Sequence, residues 1–217
     1  MALKFLLPFV LFALPAFAEL PVLPVSEHQK WQAVGRVNIA GYNRRNMCTG
    51  SLIAPDTVLT AAHCVQRPDG LPYDPTEIIF VAGWLRGEHQ GSSNGVAITF
   101  HPAAPLNGDR AFATDIALLT LEKPLTPPPL PTSSQDQTGK IAIIGYFDKR
   151  PHMLSARFDC TGLDNRGVIL LDCATRPGNS GGPVLIYEDE EWKIIGVVSA
   201  GSRAQTIVAP IKGFIDN

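Results

Sequence analysis

The sequence of 217 residues lacks several features that would point to particular partners. Its formal net charge is only −2 and no stretch is strongly basic, which argues against nucleic acids and charged membrane surfaces as ligands. Paired C-x-x-C spacings are absent, so the four cysteines do not resemble a zinc site. Past the N-terminus, no apolar run is long enough to cross a membrane. The 45% of hydrophobic residues nevertheless predict a folded chain with a sizeable core.

The first 18 residues predict an export signal peptide. Lys4 precedes a short apolar run, and Ala16-Phe17-Ala18 matches the small-x-small pattern of a cleavage site. We therefore expect residues 1–18 to be removed and residues 19–217 to form a secreted or periplasmic protein that no longer contacts the membrane. Residues 19–31 contain two prolines and predict an extended arm or a short propeptide. In an exported chain, four cysteines predict two disulfides, and their number alone leaves three pairings open.

Short apolar segments alternate with Gly- and Pro-rich turns along the rest of the chain, and none has a long helical period. This pattern predicts an all-β fold. The predicted strands are 33–39, 51–53, 58–60, 78–82, 95–100, 116–121, 140–146, 157–161, 167–171, 192–199 and 207–210, with 157–161 and 167–171 as the arms of one hairpin. The proline-rich segment 123–131 predicts a stiff crossing or, as an alternative, a ligand for a proline-binding module. The acidic segment 188–191 predicts a solvated hairpin tip or, as the alternative, a calcium-binding loop.

Three stretches contain the residue types that nucleophilic catalysis needs. Ser180 lies in GNSGGP, where glycines let the backbone bend and bring N–H groups beside a substrate carbonyl. A serine also needs a base, which His63 in TAAHC can supply, and an acid that orients the base, which Asp115 at the start of DIALL can supply. Asp109, in a turn-like stretch six residues before Asp115, is a second candidate for the acid. Taken alone, the serine stretch is also compatible with an ordinary turn.

TAAHC, DIALL and GNSGGP, in this order, resemble the triad motifs of the chymotrypsin/trypsin-like serine peptidases, and the asparagine before the serine resembles bacterial members. The resemblance implies two packed six-stranded antiparallel β-barrels, at about 33–122 and 132–217, joined by 123–131. It places the active site in the cleft between the barrels. It implies an exported serine endopeptidase that cleaves polypeptides through an acyl-enzyme, and we expect a monomer that uses no cofactor and no metal.

The resemblance also assigns the individual site residues. His63 is the base, Asp115 rather than Asp109 is the acid, and Ser180 is the nucleophile. The backbone N–H groups of Gly178 and Ser180 form the oxyanion hole. The expected substrate-binding residues are Ala174, Thr175, Ser199, Ala200 and Gly201. We expect the disulfide Cys48–Cys64, which resembles a family bond beside the histidine, and the disulfide Cys160–Cys173, which matches no widespread family bond.

Two positions depart from the family pattern. Asn179 stands where animal zymogens have an aspartate that pairs with a freshly cut N-terminus, so we expect no such switch. Ala174 stands where trypsin-like members have the acid that binds Lys or Arg, so we expect a small or apolar residue before the cut; Arg203 would favour acidic substrates if it reached the pocket. Two other functions stay open, namely a catalytically inactive binding or scaffold protein on the same fold and an esterase with the same triad.

Overall fold

The computed structural model describes residues 19–39, 47–108, 111–134 and 139–215. The predicted signal peptide and Asp109 lie outside this part of the chain. In the described residues, thirteen β-strands and four short 3₁₀ helices are present, which confirms the all-β prediction. The 3₁₀ helices are Val25–Trp31, Ala62–Cys64, Pro75–Glu77 and Phe112–Thr114. No helix within the described ranges is both long enough and apolar enough to span a membrane.

The first half of the fold is a closed antiparallel barrel. Its strands are β1 (Val34–Ile39), β2 (Met47–Ala54), β3 (Thr57–Thr60), β4 (Ile78–Ala82), β5 (Gly91–Phe100) and β6 (Ala117–Leu121). They pair in the order β1-β2-β3-β6-β5-β4, and β1 closes the barrel by pairing with β4. In β4, Ile78, Phe80 and Ala82 are fully buried while the residues between them are partly exposed, so period-2 alternation fills the barrel interior.

The second half is a seven-stranded antiparallel sheet, which differs from the predicted six-stranded barrel. Its strands are β7 (Ile141–Phe147), β8 (Arg150–Cys160), β9 (Gly162–Asn165), β10 (Val168–Leu171), β11 (Pro183–Glu188), β12 (Glu191–Gly201) and β13 (Thr206–Pro210). The order is β8-β7-β11-β12-β13-β10-β9, so β8 and β9 are the two edges. Only Thr161 separates these edge strands in the chain. The sheet therefore curls back on itself through one bent strand, and the bend at Thr161 accounts for the seventh strand.

The hairpin predicted from 157–161 and 167–171 was wrong in its first arm. Residues 157–160 belong to β8 and pair with β7, whereas the partner of β10 is β9. The turn between β9 and β10 consists of Arg166 and Gly167, which both have positive φ values, of 53° and 84°. Two-residue turns of this kind match the twist of the flanking strands. The turn therefore begins only at Arg166, directly after β9.

The acidic segment 188–191 and the proline-rich segment 123–131 both connect elements of the fold. Asp189 and Glu190 form a two-residue turn between β11 and β12, with φ values of 50° and 65°. The Lys193 ammonium lies 2.7 Å from the Asp189 carboxylate, so the acidic run is a hairpin tip with its own cation. In segment 123–131, the Leu130 N–H donates to a carbonyl of β2, and the Pro131 carbonyl that follows accepts from Ile194 of β12. The segment therefore connects the barrel to the sheet.

Both expected disulfides are present. Cys48–Cys64 joins β2 to the 3₁₀ helix that contains His63, and its cysteines are 16 positions apart. Cys160–Cys173 joins the end of β8 to the segment before Ala174, over 13 positions. Loops of this size each stabilise the folded chain by about 3 kcal/mol in the chain-entropy model.

The N-terminal residues 19–31 are an integral part of the fold. The Leu23 N–H donates to Leu154 of β8 at 2.9 Å, and the Ala156 N–H donates to Pro21 at 2.9 Å, so the arm runs beside β8. Leu20 packs among buried residues of the second sheet and is only 2% exposed. These contacts favour the structural arm over the propeptide alternative.

We predict that Leu20→Ala lowers the free energy of unfolding by about 2–4 kcal/mol, because truncating a buried leucine loses apolar burial and leaves a cavity. Val22 provides a matched control in the same arm, since it is 38% exposed. Val22→Ala should change the free energy of unfolding by no more than about 0.5 kcal/mol. Urea unfolding of the two variants measures the difference, and equal values would contradict the view that the arm belongs to the core.

Candidate active site

Strand pairing brings His63 and Asp115 together. His63 lies in the 3₁₀ helix that follows β3, Asp115 lies two residues before β6, and Thr60 of β3 pairs with Ala117 of β6. The His63 Nδ1 atom lies 2.7 Å from Asp115 Oδ2, and the backbone N–H of His63 donates to Asp115 Oδ1 at 2.9 Å. Each carboxylate oxygen therefore binds the same histidine, and this double contact fixes the orientation of the imidazole.

Asp115 is also bound from the second half of the fold. The Ser199 hydroxyl on β12 donates to Asp115 Oδ2 at 2.5 Å, and only 8% of Asp115 is exposed. Burial by itself raises the pKa of this carboxyl, but the hydrogen bonds from His63 and Ser199 and the charge of His63 outweigh burial and hold the pKa below its usual value. Asp115 is therefore a stable anion.

The loop that contains Ser180 is held against the first barrel by Thr49. The Thr49 N–H donates to the Ser180 carbonyl at 2.8 Å, and the Thr49 hydroxyl donates to the Gly178 carbonyl at 2.8 Å. The same hydroxyl accepts from the Tyr146 N–H at 3.0 Å. Gly178 has a φ of 100°, a conformation that glycine adopts without the usual steric cost. Thr49 was not among the predicted site residues, and its position on an ordinary strand offered no sequence signal.

Asn179 is bound entirely within the protein. It is 1% exposed; its amide donates to the Tyr146 carbonyl at 2.9 Å and its side-chain oxygen accepts from the Arg176 N–H at 2.9 Å. Both the nitrogen and the oxygen of the side-chain amide are therefore bound to uncharged backbone groups. The loop is thereby held in shape by neutral hydrogen bonds.

Ser180 and His63 line one cavity of about 760 Å³, together with Gly178 and the Cys48–Cys64 disulfide. No acceptor binds the N–H groups of Gly178 or Ser180 within the described part of the chain. Two unused donors beside a serine are what an oxyanion requires. Among the described contacts, no hydrogen bond joins the Ser180 hydroxyl to His63. Catalytic hydrogen bonds are often long before substrate binds.

The predicted substrate-binding residues are not brought into this cavity. Ala174 and Thr175 are buried and line a separate cavity of about 330 Å³ that Arg203 also borders. The Thr175 N–H donates to the Ser202 carbonyl at 3.1 Å, and a Cβ placed on Gly201 would overlap the Thr175 hydroxyl. Ser199 is buried against Asp115, and Ala200 is partly exposed on β12.

Thr206 is a second residue that the sequence did not reveal. It pairs with Gly201 across β12 and β13, and its hydroxyl lies 2.9 Å from that of Thr175. The Thr206 hydroxyl also donates to the Cys173 carbonyl at 2.6 Å. The segments that contain Thr175 and Gly201 are therefore in direct contact, and this contact depends on a strand register that sequence spacing does not show.

The described residues contain one cluster with metal-ligand atoms, formed by Cys48, His63 and Cys64. Both sulfur atoms are already joined to each other in the disulfide. A disulfide sulfur is a poor metal ligand because metals bind the thiolate. The three side chains therefore lie close together because the Cys48–Cys64 disulfide is next to His63.

We predict that Ser199→Ala destabilises the protein in a pH-dependent way. A carboxyl with a lowered pKa stabilises the fold above its usual pKa of about 3.9, and this contribution is lost as the pH falls through the lowered value. Removing the Ser199 donor shifts the pKa of Asp115 upward. The free energy of unfolding should therefore drop by about 1.5–3 kcal/mol at neutral pH, and the deficit should shrink below about pH 4.

Ser93→Ala is the matched control, since this buried hydroxyl bonds only to uncharged groups, the Asn94 carbonyl and the Lys123 N–H. Its effect should not depend on pH over the same interval. Urea unfolding of both variants at several pH values measures the two dependences. Parallel curves for the two variants would contradict the assignment of Ser199 as a donor to an ionised Asp115.

Comparison with known proteins extends these observations to a family. Residues 48–197 match the family model described as a trypsin-like peptidase domain. Serine protease 23 of mouse is 29% identical over 188 residues, which cover 70% of this chain and 48% of the relative. Serine protease 28 of mouse is 28% identical over 200 residues, which cover 72% of this chain and 69% of the relative. The chain thus spans about half the length of the serine protease 23 sequences that it matches.

Two solved structures share the fold. A thermostable serine protease, AL20, from an extremophilic microorganism has a TM-score of 0.70 at 17% identity, covering 84% of this chain and 92% of that one. The protease Anisep from Arthrobacter nicotinovorans has a TM-score of 0.68 at 18% identity, covering 82% of this chain and 90% of that one. At these identities the likeness shows the fold alone. The match to the family model covers more than half of the sequence, and the chain therefore belongs to the trypsin-like peptidase family.

Proposed function

We propose that the protein is an exported serine endopeptidase that hydrolyses polypeptides as a monomer. One observation carries this proposal: Asp115 binds the Nδ1 side of His63, so Nε2, which lies 3.8 Å from the Cys64 sulfur, is the nitrogen left to accept a proton in the cavity that His63 shares with Ser180. A serine becomes a nucleophile when such a base accepts its proton. Membership in the trypsin-like peptidase family supports the same reaction.

The residues support a two-step acyl transfer. In the first step, the Ser180 oxygen attacks the scissile carbonyl while its proton passes to Nε2 of His63. The N–H groups of Gly178 and Ser180 stabilise the oxyanion, and the C–N bond then breaks as the imidazolium protonates the leaving amine. In the second step, water gives a proton to His63 and its oxygen attacks the acyl-enzyme carbonyl. The C–O bond to Ser180 then breaks as His63 returns the proton to the serine oxygen, and the acid is released. Asp115 keeps the imidazole oriented and balances its charge throughout.

The same site supports a preference for a small residue before the cut. The pocket that the resemblance implies at this position would lie between Thr175 and Gly201. In this structure the Thr175 and Thr206 hydroxyls lie 2.9 Å apart, and a Cβ on Gly201 would overlap the Thr175 hydroxyl, which favours a small side chain between these segments. Arg203 lies in the separate cavity behind Thr175, which does not contain Ser180, so attraction of an acidic side chain is the weaker interpretation.

Export is supported by two features. The chain contains two disulfides, which form and persist in oxidising compartments, and its first 18 residues have the pattern of a signal peptide. We therefore assign the protein to the periplasm or the medium.

A fluorophosphonate probe tests the catalytic assignment. We expect covalent labelling of the wild type and of Ser92→Ala, which removes an exposed serine of β5. Ser180→Ala should abolish labelling because it removes the reacting oxygen, and His63→Ala should slow it by about 10³-fold or more because the base is lost. Labelling retained in Ser180→Ala would refute the nucleophile, and an unlabelled wild type would favour the inactive binding protein. Hydrolysis of a short-chain ester without cleavage of casein would favour the esterase instead.

The narrow pocket makes a separate prediction about specificity. On peptides that differ only in the residue before the cut, the wild type should prefer Ala to Leu by about 10-fold or more in kcat/KM. Thr175→Ala and Thr206→Ala should each raise the Leu/Ala ratio, because each change removes a hydroxyl and a methyl group from the contact. Thr57→Ala, on β3, is the control that should leave the ratio unchanged. If the ratio stays the same in all three variants, the two threonines do not limit the pocket.

A further inference from the structure

Glu19 is bound by three cations on the surface that adjoins the nucleophile loop. Its carboxylate lies 3.1 Å from Arg176, 3.3 Å from Arg150 and 3.8 Å from Lys149. Arg150 and Lys149 follow the end of β7, whereas Arg176 belongs to the loop itself. One carboxylate at the start of the folded arm therefore links two separate segments.

Arg176 has an unusual position among these partners. Its side chain is only 19% exposed, and its guanidinium bridges Glu19 and Asp148, the latter at 3.3 Å. Its backbone N–H donates to the Asn179 side chain at 2.9 Å, and its carbonyl accepts from the Asn179 N–H at 3.0 Å. Asn179 directly precedes Ser180. A continuous chain of contacts thus runs from the Glu19 carboxylate to the residue beside Ser180.

A third contact closes the arrangement. The Asp148 N–H donates to the Pro177 carbonyl at 2.9 Å, so the segment that pairs with the Arg176 guanidinium also holds the next residue of the loop. Gly178, which follows, supplies one of the two free N–H groups. Asp148 therefore binds both the Arg176 guanidinium and the Pro177 carbonyl, while Asn179 binds the Arg176 backbone.

We propose that Glu19 is a positioning residue for the nucleophile loop, which we define as residues 176–180. Its carboxylate holds the Arg176 guanidinium, and through Arg176 it stabilises the turn that presents Gly178 and Ser180 to the cleft. The catalytic side of this inference rests on the proposed function, but the structural side does not. A consequence is that a chain that begins after residue 19 loses the contact, so trimming of the N-terminus at this point lowers activity.

The size of the effect follows from exposure. Glu19 and two of its cations are more than a third exposed, and such ion pairs contribute little to global stability. The mostly buried Arg176 side chain, however, is left with Asp148 as its only ion-pair partner among the described residues. We therefore expect a local change in the loop while the rest of the fold keeps its stability.

The test compares Glu19→Ala with Glu19→Asp, which keeps the charge, and with Glu27→Ala. Glu27 is a matched control because it is a partly exposed carboxylate of the same arm, and its ion-pair partner among the described residues is Lys30. Each variant is produced from the full chain, and its N-terminus is checked by mass spectrometry. Hydrogen exchange of peptides that cover residues 176–182 reports on the loop directly. The rates of fluorophosphonate labelling and of peptide cleavage, at low and high salt, report on catalysis.

In Glu19→Ala we expect hydrogen exchange in the loop to become faster, and labelling by the probe to become slower, each by about three- to tenfold. In peptide cleavage, kcat should be affected more than KM. Glu19→Asp should lie between Glu19→Ala and the wild type, and Glu27→Ala should match the wild type. High salt should reduce the difference, since the contact is an ion pair. The melting temperature of all variants should stay close to that of the wild type.

Loop exchange that is equal in Glu19→Ala and Glu27→Ala would overturn the proposal. Faster exchange throughout the chain together with a large drop in melting temperature would also overturn it, because Glu19 would then stabilise the whole fold. If the wild type does not react with the probe, the proposed function fails, and the exchange measurement still decides whether Glu19 holds the loop.

Discussion

The geometry of the site depends on the contact between Thr49 and the nucleophile loop. Thr49 is fully buried on β2, and its backbone and side chain bind the carbonyls of Ser180 and Gly178. When these carbonyls point toward the barrel, the N–H groups of the same segment are free to face the cleft. A Cβ on Gly181 would collide with the Thr60 hydroxyl and the Thr49 carbonyl, so only glycine allows the loop to lie this close to β2. Ser180 of the second half is thus held by a strand of the first.

A second contact between the halves is made by Asp115. Asp115 belongs to the barrel and is bound by His63 from the barrel and by Ser199 from the sheet. A buried carboxylate without such donors would be costly, and three hydrogen bonds provide the compensation. The same bonds that stabilise the anion also lock the imidazole. Stability and catalytic orientation therefore rest on one set of atoms, and the Cys48–Cys64 disulfide restrains the histidine segment from its other side.

The substrate side of the cleft shows how strongly a strand register can change a site. Thr175 and Gly201 lie at positions where the family pattern predicts the walls of a pocket, yet in this chain the two segments are hydrogen-bonded to each other. The β12–β13 connection is short, and Gly201 and Thr206 pair at its base. Thr206 is thereby placed against Thr175. The local sequence around each residue is unremarkable, and only the strand pairing brings them into contact.

The sequence by itself determined the β class, most strand positions and the three motifs with their order, because alternation of apolar residues and turn chemistry are local properties. The Cys48–Cys64 pairing and the His63–Asp115 contact followed from the family resemblance of those motifs, and the structure contains both. It also contains the expected Cys160–Cys173 bond, which matches no widespread family bond. Only the tertiary structure decided the bend at Thr161, the hairpin of β9 and β10, and the roles of Thr49, Thr206 and Glu19. Each of these depends on residues that are distant in the chain and meet through strand register or a surface ion pair. Such contacts leave no periodic or compositional signal in the sequence.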